Sequence, residues 1–238
     1  ERITEVVDSL EGTTKYTYDA LGQLETETAN GVTTKFAYDN YGNIITKGLV
    51  DETGEIGEAT KITYEYGDDT WKDLLTSYNG QSITYDAQGN PVQYLGHTLT
   101  WEKGRQLKSF DGNTYTYNAN GIRTSKMVDG ILHTYTLDGT KILRETWEET
   151  ENETVREHSI VPLYDNEDSV CGIVYNGVPY FFYKNLQGDV IGITDQDAKV
   201  VARYTYDAWG VPTIVEDRTD CGIATVNPFR YRGYYYDE

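Results

Sequence analysis

Two cysteines and three histidines in 238 residues leave little room for several kinds of chemistry. Cys171 and Cys221 are too few for a disulfide framework and have no Cys-x-x-Cys spacing, and their separation along the chain says nothing about geometry, so pairing is left open. His97, His133 and His158 lie near β-like segments in no metal-ligand spacing such as His-x-x-x-His, so neither a metal nor a cofactor is expected. His158 and Ser159 are neighbours that face opposite sides of a strand, a poor arrangement for a base and its nucleophile. Basic residues are also scarce. Twenty Lys and Arg against 39 Asp and Glu give a net charge of -19, which repels nucleic acid and anionic lipid. No apolar run approaches the roughly 20 residues of a membrane helix, and Glu1-Arg2-Ile3-Thr4-Glu5 is no signal peptide. The chain therefore reads as soluble and as part of something longer. One Met and five Phe leave few residues for a dry core and favour a thin shell over a dense globule.

What the chain has instead is 22 Tyr and 23 Gly. Tyrosine offers a large flat ring with a wet hydroxyl, which suits a sheet whose faces are half buried. Tyr18-Asp19-Ala20-Leu21-Gly22 recurs 20 residues on as Tyr38-Asp39-Asn40-Tyr41-Gly42. Val32, Thr34, Phe36 and Tyr38 fall on one face of a period-2 strand before it. Asp at the first turn position accepts a backbone hydrogen bond two residues on, and Gly at the fourth tolerates positive φ. Asn30-Gly31 then supplies a tight hairpin turn, so one period is strand, turn, strand, turn. Further copies are Tyr85, Asp86 and Gly89; Tyr117, Asn118 and Gly121; and Tyr206, Asp207 and Gly210. Tyr135-Thr136-Leu137-Asp138-Gly139 and Tyr183-Lys184-Asn185-Leu186-Gln187-Gly188 are variants, and Asn79-Gly80, Asp111-Gly112, Asp129-Gly130 and Asn176-Gly177 are further hairpin turns.

Helix signals are nearly absent. Gly67 to Leu75 reads either as a short helical plug capped by Asp68 or Asp69 or as an irregular loop. Two acidic stretches, 51–58 and 148–153, read as solvated tips and fit no calcium loop. Asn152-Glu153-Thr154 matches a glycosylation sequon. Acid pairs are inevitable with 39 carboxylates, and a hydrolase pair would need a cleft that spacing alone does not place. Arg230, Tyr231, Arg232, Tyr234, Tyr235 and Tyr236 read as register-pinning aromatic pairs or as a surface for a glycan or partner protein.

The Tyr-Asp-x-x-Gly copies, Trp71 to Tyr78 leading to Tyr85-Asp86, and Thr100 to Leu107 together resemble the YD-repeat (Rhs) family. So do Asn185 to Val190, Arg203 to Gly210 and Asn227 to Asp237, which are similar to the approach to the family's core region. The resemblance spans nearly the whole chain. It implies an all-β fold of repetitive antiparallel hairpins wound into a hollow, spiral, partial shell, with a repeat array over 1–165 and the start of the core region over 166–238. It also implies a non-enzymatic wall of a secreted or surface-displayed bacterial protein, whose partners are the rest of its own core and a C-terminal toxin or effector. The alternative, suggested by wall-associated and teneurin-like relatives, is cell-surface adhesion or carbohydrate binding by the tyrosine-rich sheet. The family's self-cleavage motif is not among these residues, so no catalytic residue is carried over. Where many relatives place a His before the Gly-Asp/Ser-Val segment, this chain has Tyr183-Lys184-Asn185. Open strand edges lead to an expectation of self-association.

Overall fold

The computed structural model describes residues 2–9, 12–151 and 153–237. Asn152 of the sequon lies outside them. The chain forms two compact units, Glu1–Asp111 and Gly112–Glu238. That division reflects compactness and is a different matter from the repeat-to-core boundary read from sequence.

In the first unit, β1 (Glu5–Asp8), β2 (Gly12–Tyr18), β3 (Leu24–Ala29), β4 (Val32–Tyr38), β5 (Ile44–Leu49), β6 (Ile62–Glu65), β7 (Ser77–Tyr78) and β8 (Gln81–Ser82) follow one another in a single antiparallel sheet. A second run contains β9 (Thr84–Tyr85), β10 (Pro91–Tyr94), β11 (His97–Glu102) and β12 (Gln106–Phe110). Every pairing joins strands adjacent in sequence, because each hairpin is closed by its own turn chemistry. The register slips by one residue at Thr17/Tyr18 and again at Ala37/Tyr38. Such a bulge raises the local twist and re-aims the side chain at the strand end.

The stretch from Gly67 to Leu75 forms the irregular loop, not the helical plug. Asp68 Oδ1 accepts from the Thr70 amide, the Thr70 hydroxyl and the Trp71 amide, each at 2.8 Å. One turn follows, from the Leu74 amide to the Trp71 carbonyl, and the cap propagates no further.

The second unit is the meander β13 (Asn113–Tyr117), β14 (Arg123–Val128), β15 (Ile131–Asp138), β16 (Lys141–Glu151), β17 (Thr154–Tyr164), β18 (Val170–Tyr175), β19 (Val178–Lys184), β20 (Val190–Thr194), β21 (Val200–Tyr206) and β22 (Pro212–Asp217). A short helix, α1 (Ile223–Val226), and a 3₁₀ turn at Tyr231–Gly233 follow the last strand. Here the sheet has a covered face. Ile173, Val190, Ile193, Ala202, Ile223 and Ala224 are all 0% exposed and belong to one apolar cluster with Trp147, Tyr204 and Phe229. Asn227, also fully buried, accepts from the Phe229 amide at 3.1 Å and donates to the Phe229 carbonyl at 2.7 Å, which bends the chain back over the sheet. Cys171 and Cys221 are both free thiols. Among the described residues no helix is long and apolar enough to cross a membrane.

Candidate functional site

The repeated Asp is a turn-former in every copy. Asp19 Oδ1 accepts from the amides of Leu21 at 2.9 Å and Gln23 at 2.8 Å. Asp39 takes Tyr41 and Asn43, Asp86 takes Gln88 and Asn90, Asn118 takes Asn120 and Ile122, and Asp207 takes Trp209 and Val211, all within 3.0 Å. The Asn90 side chain and backbone donors hold the Asp86 carboxyl below its ordinary range. At Asp39 burial pushes upward, but the donors from Asn43, Tyr41 and Gly42 outweigh it.

The tyrosine before each Asp ties one hairpin to the one before it. The Tyr18 hydroxyl donates to the Ile3 carbonyl at 2.7 Å, Tyr38 to Leu24 at 2.8 Å, Tyr85 to Leu75 at 2.6 Å and Tyr206 to Val190 at 2.7 Å. A neutral phenol is what such a bond needs, and burial pushes Tyr38, Tyr85 and Tyr206 above the usual tyrosine range. The motif is therefore a device that bends the chain locally and joins it laterally.

Sequence reasoning missed two of these turns. Asp165 Oδ1 accepts from Glu167 and Ser169, and Asp195 Oδ1 from Asp197 and Lys199, with the same spacing. Their fourth positions hold Asp168 and Ala198 at φ 65 and 59 where the Tyr-Asp-x-x-Gly motif has Gly. At Asp165 the signal remains, since Tyr164 precedes it and donates to the Ile142 carbonyl at 2.9 Å.

Of the aromatic and basic residues near the end, the structure separates interior from surface. Arg230 is 5% exposed, with Nη2 donating to the Thr225 carbonyl at 3.0 Å and Nε to that of Asn227 at 3.2 Å. Tyr231 lies against Gly210, and the Arg232 amide donates to Asp189 Oδ1 at 2.9 Å. Tyr234 faces solvent, while the Tyr236 ring, 38% exposed, lies 4.4 Å from the Arg230 guanidinium. Tyr235 turns inward. Its hydroxyl donates to Glu145 at about 2.9 Å and lies 3.0 Å from the Tyr135 hydroxyl, which is left to supply a proton to it. Asp237 beside it pairs with Arg123 and lies 3.6 Å from Lys126.

Glu145 is only 3% exposed and also accepts from His133 Nδ1 at 2.8 Å. His133 and His158 sandwich Trp147, with ring centroids 4.9 and 5.3 Å away. No sequence spacing announces this stack, because the three residues sit on consecutive strands and meet only through register. His133, Trp147 and Glu145 border a cavity of about 210 Å³ that Lys126, Arg230 and Tyr236 also line. Burial and the neighbouring Glu145 and Tyr135 push the Tyr235 phenol far above its ordinary range, so it acts as a fixed donor. Such a network positions the chain after Phe229 on the sheet. Among the described residues no group of three or more His, Cys, Asp or Glu is placed to hold a metal ion.

An array of antiparallel hairpins, capped by Asp or Asn and stitched by tyrosine hydroxyls, defines a tyrosine–aspartate β-repeat protein. The chain belongs to the YD-repeat (Rhs) family. It is 32% identical over 231 residues to the tRNA3(Ser)-specific nuclease WapA of Bacillus spizizenii, a match that covers 93% of this chain. It is 31% identical over the same length to the tRNA nuclease WapA of Bacillus subtilis. The chain spans 9% of the length of each of these relatives. No protein-family model matches it. Among solved structures, the fold is similar to that in TcdB2-TccC3-TEV, with a TM-score of 0.62 at 14% identity over 94% of this chain and 13% of that one. The Photorhabdus luminescens Tc holotoxin pore matches with a TM-score of 0.59 at 13% identity, over 95% of this chain and 13% of that one.

Proposed function

We propose that this chain is a length of wall in a YD-repeat shell that encloses and delivers a C-terminal effector, and that it has no enzymatic activity of its own. The observation that carries this reading is the repeated tyrosine bridge. At Tyr18, Tyr38, Tyr85 and Tyr206 a hairpin bonds to the preceding one through a side chain it carries itself, so the sheet extends by adding similar units, as a wall does. In this reading the nuclease activity in the names of the WapA relatives belongs to parts of those proteins outside the matched 9%. The edges at β1 and β22 are closed by further strands of the same wall, and the shell is secreted or displayed at the cell surface.

The test uses the whole gene product that carries this segment. Limited proteolysis and cryo-electron microscopy should show a C-terminal domain inside the sheet, cleaved far more slowly than the same domain made alone. Equal cleavage rates, or a domain tethered outside the sheet, would overturn the proposal.

A further inference from the structure

The Asp19 and Asp39 turns leave the first sheet at the same strand ends, and their tips carry large apolar side chains that nothing in the turn requires. Leu21 is 80% exposed and Tyr41 70%, both at the third turn position, and Trp71 in the neighbouring loop is 47% exposed. The same turn position holds Gln88 and Asn120 in other copies, so the fold does not need an apolar residue there.

Contacts show that these tips form a continuous row. A Cβ on Gly42 would lie 3.1 Å from Gln23 Nε2, which joins the second turn to the first. Asn43 Nδ2 donates to the Lys72 carbonyl at 3.4 Å, and the Trp71 ring lies against Gly89 of the Asp86 turn. The row is also acidic. Asp19, Asp39, Asp68, Asp69, Asp73 and Asp86 stand beside Arg2 and Lys72, and Lys72 is already on Asp69 at 3.2 Å.

Successive turns on one edge are two strands apart, at roughly 4.8 Å per strand, so tips recur about every 10 Å. An extended polyproline helix has three residues per turn at about 3.1 Å each and repeats every 9 Å or so. Every third residue of such a segment therefore meets a tip. Its preformed conformation loses little entropy on docking against aromatic side chains.

We propose that this edge of the first unit is a docking surface for a basic polyproline-type segment, with Leu21, Tyr41 and Trp71 receiving its rings and stems and the flanking carboxylates receiving its guanidinium groups. The site would read spacing and charge together.

The experiment measures fluorescence anisotropy of a labelled peptide of Pro-Pro-Arg triplets titrated with the full chain. The chain should bind it, and affinity should fall as salt rises. Leu21→Ser, Tyr41→Ser and Trp71→Ser, all at exposed positions and checked for folding by circular dichroism, should each weaken binding about tenfold. Trp209→Ser, at a turn tip of the second unit, should leave it unchanged. Asp69→Asn combined with Asp73→Asn should flatten the salt dependence. Absence of binding would overturn the proposal, as would equal binding by the three serine variants. Equal binding of Gly-Ser-Arg triplets would reduce the effect to charge alone and overturn the polyproline geometry, and equal binding of Pro-Pro-Glu triplets would remove the carboxylates' role.

Discussion

The two units use one turn and one tyrosine bridge, yet they differ in what covers their sheets. In the first unit the buried apolar residues are few: Phe36, Ile83 and Leu99 among the described residues. In the second, one connected cluster runs from Trp147 through Ile173, Ile193 and Tyr204 to Phe229. The extra burial comes from the chain after β22. The Tyr204 hydroxyl donates to the Ala224 carbonyl at 2.7 Å, while Tyr235 and Asp237 reach back to β14, β15 and β16. Local turn chemistry is enough to build a meander, and a covering segment is what converts one face of it into a core.

The largest effect should come from that core. Ile193→Ala removes a fully buried side chain and should cost about 3 to 4 kcal/mol, in the range for aliphatic truncations in packed sites. Denaturant unfolding followed by segment-resolved hydrogen exchange should place the loss of protection in residues 112–238. Equal loss across 12–49 would mean that the units melt as one, and the contrast would collapse.

A hydroxyl deletion should sharpen the comparison. Tyr235→Phe leaves the buried Glu145 short of a donor and should cost about 2 kcal/mol, whereas Tyr38→Phe frees a half-buried carbonyl that water can reach and should cost about 1 kcal/mol or less. Equal shifts in the denaturation midpoint would show that the covering segment adds nothing to the bond.

A gain is expected where a turn lacks its glycine. Ala198 is held at φ 59, a conformation that strains an L-residue, so Ala198→Gly should stabilise the second unit by about 0.5 kcal/mol after the entropy cost of glycine. A lower melting temperature would show that the turn does not depend on left-handed freedom at that position.

The smallest effects are those of pH, and they run in opposite directions at the two ends of the scale. Asp39 and Asp86 in the first unit and Asp165 in the second have folded pKa values below the unfolded one. Their contribution is present above about pH 4 and is lost as pH falls through the folded values. Tyrosines act in the other sense. Burial first, and Glu27 next, push Tyr16 up to about 12, so its contribution is complete below about pH 10 and is lost as pH rises toward 12. Tyr135 and Tyr235 are pushed further, so their contribution goes on falling at pH values where that of Tyr16 is already lost, and hydrogen-exchange protection around β15 and β16 should keep decreasing with pH after protection around β2 has levelled off. Levelling at the same pH in both places would contradict the difference in burial.

Much of this architecture is legible in the chain itself. Tyr18-Asp19 through Gly22 and its copies announce strand, turn and pairing partner together, since every bond of the turn lies within five residues. The Asp165 and Asp195 turns escape notice because Asp168 and Ala198 can adopt, at some strain, the conformation that Gly favours. The helical reading of 67–75 fails because a capping Asp also stabilises an isolated turn, and nothing in the loop rewards propagation. The sheet order follows from adjacency, and with it the family's fold.

The repeating hairpin follows from the sequence alone, because turn preference and β alternation act between neighbours. Which tyrosines are structural and which are surface is settled in three dimensions. Tyr234, Tyr235 and Tyr236 are consecutive, yet only Tyr235 meets Glu145, 90 residues away, on a strand whose register brings it there. The stacking of His133, Trp147 and His158 has the same origin. Long-range contacts depend on how accumulated register and twist bring distant strands under one covering segment, and no single stretch of the chain encodes that sum.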